Sequence, residues 1–161
     1  MSGDVDPFST PEPFSENQFD WRGELRNWPL TQRTFRLRTL REASWHVDPR
    51  DTVLATARVQ RIADRDGWPQ KQVRGRWLLI ATDRRLYRMF QSRMVRHLSD
   101  WEEYFYADIT RWEVQLPAMP LWRILGWRTE GSNRRVLIQR KLARRLQEAV
   151  EPQLPAGAFD W

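Results

Sequence analysis

Cysteine is absent from the 161 residues, which removes disulfides, thiolate metal sites and a cysteine nucleophile together. Histidine is nearly absent: His46 and His97 are the two present, and a metal centre needs three or four convergent ligands. His46-Val47-Asp48 is a two-ligand fragment at most and reads as a polar stretch ahead of a turn. The seven glycines stand singly, so no glycine-rich phosphate loop is present. Long apolar runs are missing too. The longest, Trp77 to Ala81, falls far short of the roughly 20 residues of a membrane-spanning helix. No charged-then-apolar leader precedes the body, so the expected location is the cytoplasm.

Paired functional groups are equally scarce. Glu102 and Glu103 are adjacent, and adjacent residues of a strand project to opposite sides. Ser99, His97 and Asp100 are neighbours in sequence, from which no catalytic triad follows. These absences lead to the expectation of a chain that is no enzyme and carries no cofactor and no metal.

What is present is a core and a charge. Hydrophobic residues make up 40% of the chain and ten are Trp, enough to exclude global disorder. The length predicts a single domain. Basic residues number 27 against 21 acidic, a net charge of +6, and only Lys71 and Lys141 are lysines. The charge is unevenly spread. Residues 1–30 hold six carboxylates against Arg22 and Arg26, a net of −4 that leaves +10 on the remainder. Pro7, Pro11, Pro13 and Pro29 punctuate this acidic stretch.

Period-two alternation predicts a strand over residues 53–60. Trp77 to Ala81 and Leu86 to Phe90 predict a hairpin around Thr82-Asp83-Arg84-Arg85, with Asp83 capping the turn. Further strands are predicted at 95–98, 104–106 and 109–116, the last with Trp112, Val114 and Leu116 on one face. A second hairpin is predicted from 121–128 and 134–139, followed by an amphipathic helix over about 140–150 that Pro152 and Pro155 end. Phe35, Leu37 and Leu40 mark a short helix or strand before the Asp48-Pro49 turn.

Arg74 to Arg88, reading RGRWLLIATDRRLYR, resembles the strand–turn–strand of bacterial pleckstrin-homology-like (PH-like) domains. Tyr106 to Val114, reading YADITRWEV, is similar to a later strand of that family, and residues 125–138 and 141–151 to its last hairpin and closing helix. The resemblance spans roughly residues 52–151. It implies a mainly β (α+β) fold: a seven-stranded antiparallel barrel capped by a C-terminal amphipathic helix, here with an extended N-terminal arm. The chain then divides into an acidic Pro/aromatic arm (1–30), a transitional segment (31–51), the PH-like domain (52–151) and a tail (152–161).

The family is mostly a non-catalytic binding scaffold, which implies an interaction or assembly subunit that binds a protein partner or further copies of itself. Large rings seek burial, and the arm offers Phe8, Phe14, Phe19, Trp21 and Trp28 as anchors for a partner. Phe19-Asp20-Trp21 recurs as Phe159-Asp160-Trp161, which adds Phe159 and Trp161 as a second docking motif. Two alternatives use the basic surface. Arg76-Trp77, Arg111-Trp112 and Trp127-Arg128 could combine phosphate pairing with base stacking on nucleic acid, although the alternation places Trp77 and Trp112 in the core. Lipid-binding PH-like domains carry a basic residue, a loop and a basic-x-Arg unit. Arg61, Arg74 and Arg76 fit that pattern for an anionic membrane surface, while Asp64 and Asp66 in the loop oppose it.

Overall fold

The computed structural model describes residues 19–29, 37–59, 61–64, 75–92, 98–117 and 119–159. Two helices come first, α1 (Trp21–Leu25) and α2 (Leu37–Trp45). Eight strands follow: β1 (Val53–Val59), β2 (Arg61–Asp64), β3 (Gly75–Thr82), β4 (Arg85–Ser92), β5 (Leu98–Phe105), β6 (Arg111–Gln115), β7 (Trp122–Arg128) and β8 (Asn133–Gln139). Helix α3 (Arg140–Val150) and short 3-10 turns at Glu151–Gln153 and Ala156–Phe159 complete the described chain.

The fold is mainly β. Two antiparallel four-stranded sheets have the orders β1-β3-β4-β5 and β2-β8-β7-β6. A single residue separates β1 from β2, so the chain passes directly from one sheet into the other. At the far side β5 and β6, consecutive along the chain, each end a sheet and do not pair with one another. The expected seven-stranded barrel is therefore corrected to eight strands in two sheets, with no closed barrel among the described residues. The 3-10 turn Tyr106–Asp108 lies between β5 and β6, where the Tyr106 hydroxyl donates to the Thr82 carbonyl at 2.6 Å.

Helix α3 lies against β1, β3, β7 and β8, and so against both sheets. Leu142, Ala143, Leu146 and Val150 are buried beneath it, while Arg144 and Glu148 face solvent. Periodicity predicts the burial of Leu142, Leu146 and Val150 and the exposure of Arg144 and Glu148; Arg145, expected on the polar face with them, instead turns to Glu24.

The β3–β4 hairpin forms where expected, pairing Ala81 with Leu86. Its turn is held differently from expectation. The Thr82 hydroxyl accepts from the Arg84 and Arg85 amides at 3.1 and 3.0 Å. Asp83 reaches outward instead: its carboxylate accepts from the Thr52 amide at 2.8 Å, and its amide donates to the Thr52 carbonyl at 3.0 Å. The strands expected at 95–98 and 104–106 are also revised. Residues 93–97 lie outside the described set, and 98–105 form one continuous strand along β4.

Candidate partner-binding surface

The N-terminal arm was expected to offer its rings to a partner, and the described part of it does otherwise. Asp20 starts α1 by accepting from the Gly23 amide at 3.0 Å, an N-cap satisfying a donor that has no partner inside the helix. Trp21 follows at 4% exposure and Trp28 at 1%, both in the chain's own core. Phe19 packs edge-on against Trp21, with ring centroids 5.1 Å apart. The assignment of Trp21 and Trp28 as partner anchors is corrected: their rings are spent inside the fold, where each removes apolar area from water.

Polar contacts explain why the arm folds back. β1 ends its sheet, and its outward-facing Thr56 amide lacks a strand partner. Buried Glu24 accepts from that amide at 3.2 Å and from the Thr56 hydroxyl at 3.0 Å. Arg145 of α3 grips the same carboxylate, one nitrogen lying 3.0 Å from Oε2. The Trp28 indole donates to the Thr56 hydroxyl at 3.1 Å. Helix α1 thus covers an exposed sheet edge, one of the standard protections against unwanted strand pairing.

The remaining arm and tail candidates divide. Phe8, Phe14 and Trp161 lie outside the described residues. Phe159 ends the last 3-10 turn and is 43% exposed, while neighbouring Ala158 is buried. The first Phe-Asp-Trp triplet is a helix start packed on the core, whereas Phe159 of the second keeps an exposed ring. The proposed anion-binding residues also separate. Arg61 opens β2 opposite Leu137, Arg76 lies in β3 opposite Gln91 in the other sheet, and Arg74 is outside the described residues.

Much of the arginine charge is matched internally. Asp51, whose side chain is fully buried, accepts from the Thr82 and Tyr87 hydroxyls at 3.1 and 3.2 Å and has the Arg85 Nε at 3.0 Å. Arg85 also pairs with Asp48 and Glu103. This network ties the segment before β1 to the β3–β4 turn. Asp48 itself is held well below the usual carboxylate range, first by its hydrogen bond to Arg50.

Glu102 and Glu103 do project to different partners. Glu102 of β5 takes Arg88 and, at 2.9 Å, Arg134 of β8, so that a charge pair bridges the two sheets; the Tyr104 hydroxyl donates to it as well. Tyr104 and Trp127 meet edge-on nearby at 5.6 Å. Burial, reinforced by the bond to Glu102, pushes the Tyr104 phenol up to about 12.

The tryptophans follow suit. Trp112 and Trp127 are buried, and half-buried Trp77 lies against Phe90 with the Arg88 guanidinium over its ring at 4.6 Å. Trp101 is exposed and meets His46 edge-on at 4.3 Å. Burial lowers the His46 pKa.

One surface combines exposed apolar groups with the exposed cations Arg140, Lys141 and Arg144 and the half-buried Arg123. The β6–β7 connection exposes Leu116 at 77%, Met119 at 48% and Leu121 at 65%. The Leu121 carbonyl accepts from the Arg140 amide at 2.9 Å, and Arg123 donates to the Pro120 carbonyl at 3.0 Å. The loop therefore abuts an open hollow lined by Arg123, Arg140, Lys141, Arg144 and Gln147. Arg144 pairs with Glu148 at 3.2 Å, but both side chains are largely in water, where such a pair contributes little. Helix α3 has no acidic residue in its first turn, and Gln139 makes no side-chain cap bond. Its positive end thus carries Arg140 and Lys141, an arrangement that negative charge nearby would relieve.

The sequence pattern does not reveal this surface, because it sets Leu116 on one strand face with Trp112 and Val114. The strand ends at Gln115, and Leu116 passes beyond the sheet. The available signal was an apolar connection, LPAMPL, where connections between strands are ordinarily polar.

Among the described residues no group of three or more His, Cys, Asp or Glu is placed to hold a metal ion, and no helix is long and apolar enough to cross a membrane. Comparison of the chain with family models, with curated proteins and with solved structures gave no match.

Proposed function

We propose that this chain is a non-catalytic interaction subunit on a PH-like scaffold, acting in the cytoplasm and binding a protein partner through the β6–β7 loop and the first turns of α3. The observation that carries the reading is the exposure of Leu116, Met119 and Leu121 in one loop beside four cations. Contiguous apolar groups rimmed by charge mark interaction sites on soluble domains. The complementary partner presents apolar side chains among carboxylates. Half-exposed Phe159 adds a ring from the tail. The PH-like assignment is supported by two antiparallel sheets entered from consecutive strands and followed by one amphipathic C-terminal helix.

The test is a tagged pull-down from the native host with nuclease-treated and untreated halves, repeated with a Leu116→Ser, Met119→Ser, Leu121→Ser variant. A stoichiometric protein that survives nuclease and is lost with the variant is the expected result. A second reading, nucleic acid held by Arg123, Arg140, Lys141 and Arg144, is favoured by the cationic hollow alone. It requires capture that vanishes with nuclease and falls steeply with salt, because phosphate contacts release counterions.

A further inference from the structure

We propose that the acidic N-terminal segment, residues 1–18, docks on this same surface of its own chain and covers it until a partner displaces it. The proposal rests on the reading of the β6–β7 loop and α3 as the contact surface, and it names the first occupant.

Charge complementarity is the first argument. Residues 1–18 contain Asp4, Asp6, Glu12 and Glu16 and no Lys or Arg. The surface holds Arg123, Arg140, Lys141 and Arg144. Apolar complementarity is the second. Phe8 and Phe14 are rings within the acidic segment, and Leu116, Met119 and Leu121 are exposed beside the cations.

Tether geometry is the third argument. The described chain begins at Phe19, and α1 immediately after it is fastened to α3 through Glu24 and Arg145. Arg145 is next to Arg144 and four residues from Lys141 in the same helix, a rise of about 6 Å at 1.5 Å per residue. Eighteen extended residues reach about 60 Å at roughly 3.3 Å each. The segment thus joins the described chain five residues before a contact with α3, the helix that carries three of the four cations, and has ample length to reach them. A tether of this kind sets an effective concentration on the order of millimolar, so individually weak contacts suffice. The attraction is between solvent-exposed charges and is therefore sensitive to salt.

The absence of cysteine makes the test direct. In the full chain, Thr10→Cys places a nitroxide label between Phe8 and Phe14. The readout is amide signal intensity across the whole protein. At about 0.01 M ionic strength, where the screening length is about 30 Å, the amides of Leu121, Arg140, Lys141 and Arg144 are expected to lose most of their intensity selectively. At about 1 M, where it is about 3 Å, the signals should return. A Lys141→Glu, Arg144→Glu variant alters two exposed side chains and should restore them at low salt while leaving the core amides in place.

Uniform broadening, broadening centred elsewhere, or broadening that survives the charge reversal overturns the proposal. So does broadening in an unlabelled, isotope-enriched chain mixed with labelled chains, which assigns the contact to a second copy. The outcome is separable from the contact-surface reading. Selective broadening with partner capture indifferent to the Leu116, Met119, Leu121 variant keeps the docking and removes the reading. Capture lost in that variant with no broadening does the reverse.

Discussion

At the scale of single residues, Glu24 ties three elements together. Its carboxylate joins α1, β1 and α3 through Thr56 and Arg145. Glu24→Ala strands Arg145 and the Thr56 amide, and breaking such a buried pair costs about 3 kcal/mol, at the lower end of the usual range. The discount follows from Arg145, whose side chain is 24% exposed and recovers water. Urea unfolding of the variant measures it, and a loss under about 0.5 kcal/mol, as for an ordinary surface change, would remove this role. Gly126 matters for space. It sits opposite buried Glu113, and an added Cβ would come within 2.9 Å of Oε1 and 3.0 Å of Cγ. Glu113 is held near Arg111 and Arg135 and yields poorly, so Gly126→Ala is expected to cost about 1–2 kcal/mol, read as a lower thermal midpoint. Neither role shows in the sequence, because each depends on how one element is set against another.

At the scale of elements, β1, the hairpin strands β3, β4, β7 and β8, strand β6 and helix α3 were legible, whereas β2, the full extent of β5 and the arm were not. Strand β3 carries a continuous apolar run of strand length and helix α3 a regular apolar period, and the fold uses both directly. The arm carries five aromatic rings among prolines and carboxylates, and periodicity says nothing about where such rings go. An uncovered edge at β1 decided the matter. A Trp21→Ala, Trp28→Ala double change is accordingly expected to unfold the domain: each buried Trp→Ala change costs about 3–5 kcal/mol, comparable with the whole stability of a small domain. Loss of near-ultraviolet dichroism at ambient temperature is the expected signature; an intact fold with weaker partner binding would return these rings to the interface. Helix α3 offers the opposite kind of change. Gln139 supplies no side-chain cap, so Gln139→Asp should stabilise the chain by about 1 kcal/mol and raise its melting temperature.

At the scale of the molecule, two sheets are held together by α3, by the direct passage from β1 to β2 and by the Glu102–Arg134 pair. This arrangement sets the response to pH. Burial pushes the Tyr87 and Tyr104 phenols up to about 12 from 10. The folded chain therefore keeps protons that the unfolded chain releases, and the stability these groups contribute is complete below pH 10 and lost as the pH approaches 12. The acid limb has the opposite sign. Burial opposes ionisation of Glu102, yet the bonds from Tyr104 and Arg134 outweigh it and lower its pKa from 4.5. Its contribution is present above that value and lost as the pH falls through the folded pKa. Denaturant titrations across pH should show a broad plateau that falls at both ends; Tyr104→Phe should shrink the alkaline fall, and an unchanged alkaline limb would remove the assignment.

The sequence by itself determined the mainly β character, the hairpins β3–β4 and β7–β8, and the length and buried face of α3. These follow from local periodicity and turn chemistry, which act over a few residues. Tertiary structure alone decided that the rings of the arm, Trp21 and Trp28, are interior, which arginines are matched and where apolar side chains stay in water. Each of those outcomes depends on long-range contacts: Glu24 meets Arg145, Glu102 meets Arg134, and the β6–β7 loop meets the start of α3. A strand pattern states that one face must be buried, but what covers its edge is fixed only when the rest of the chain has folded against it.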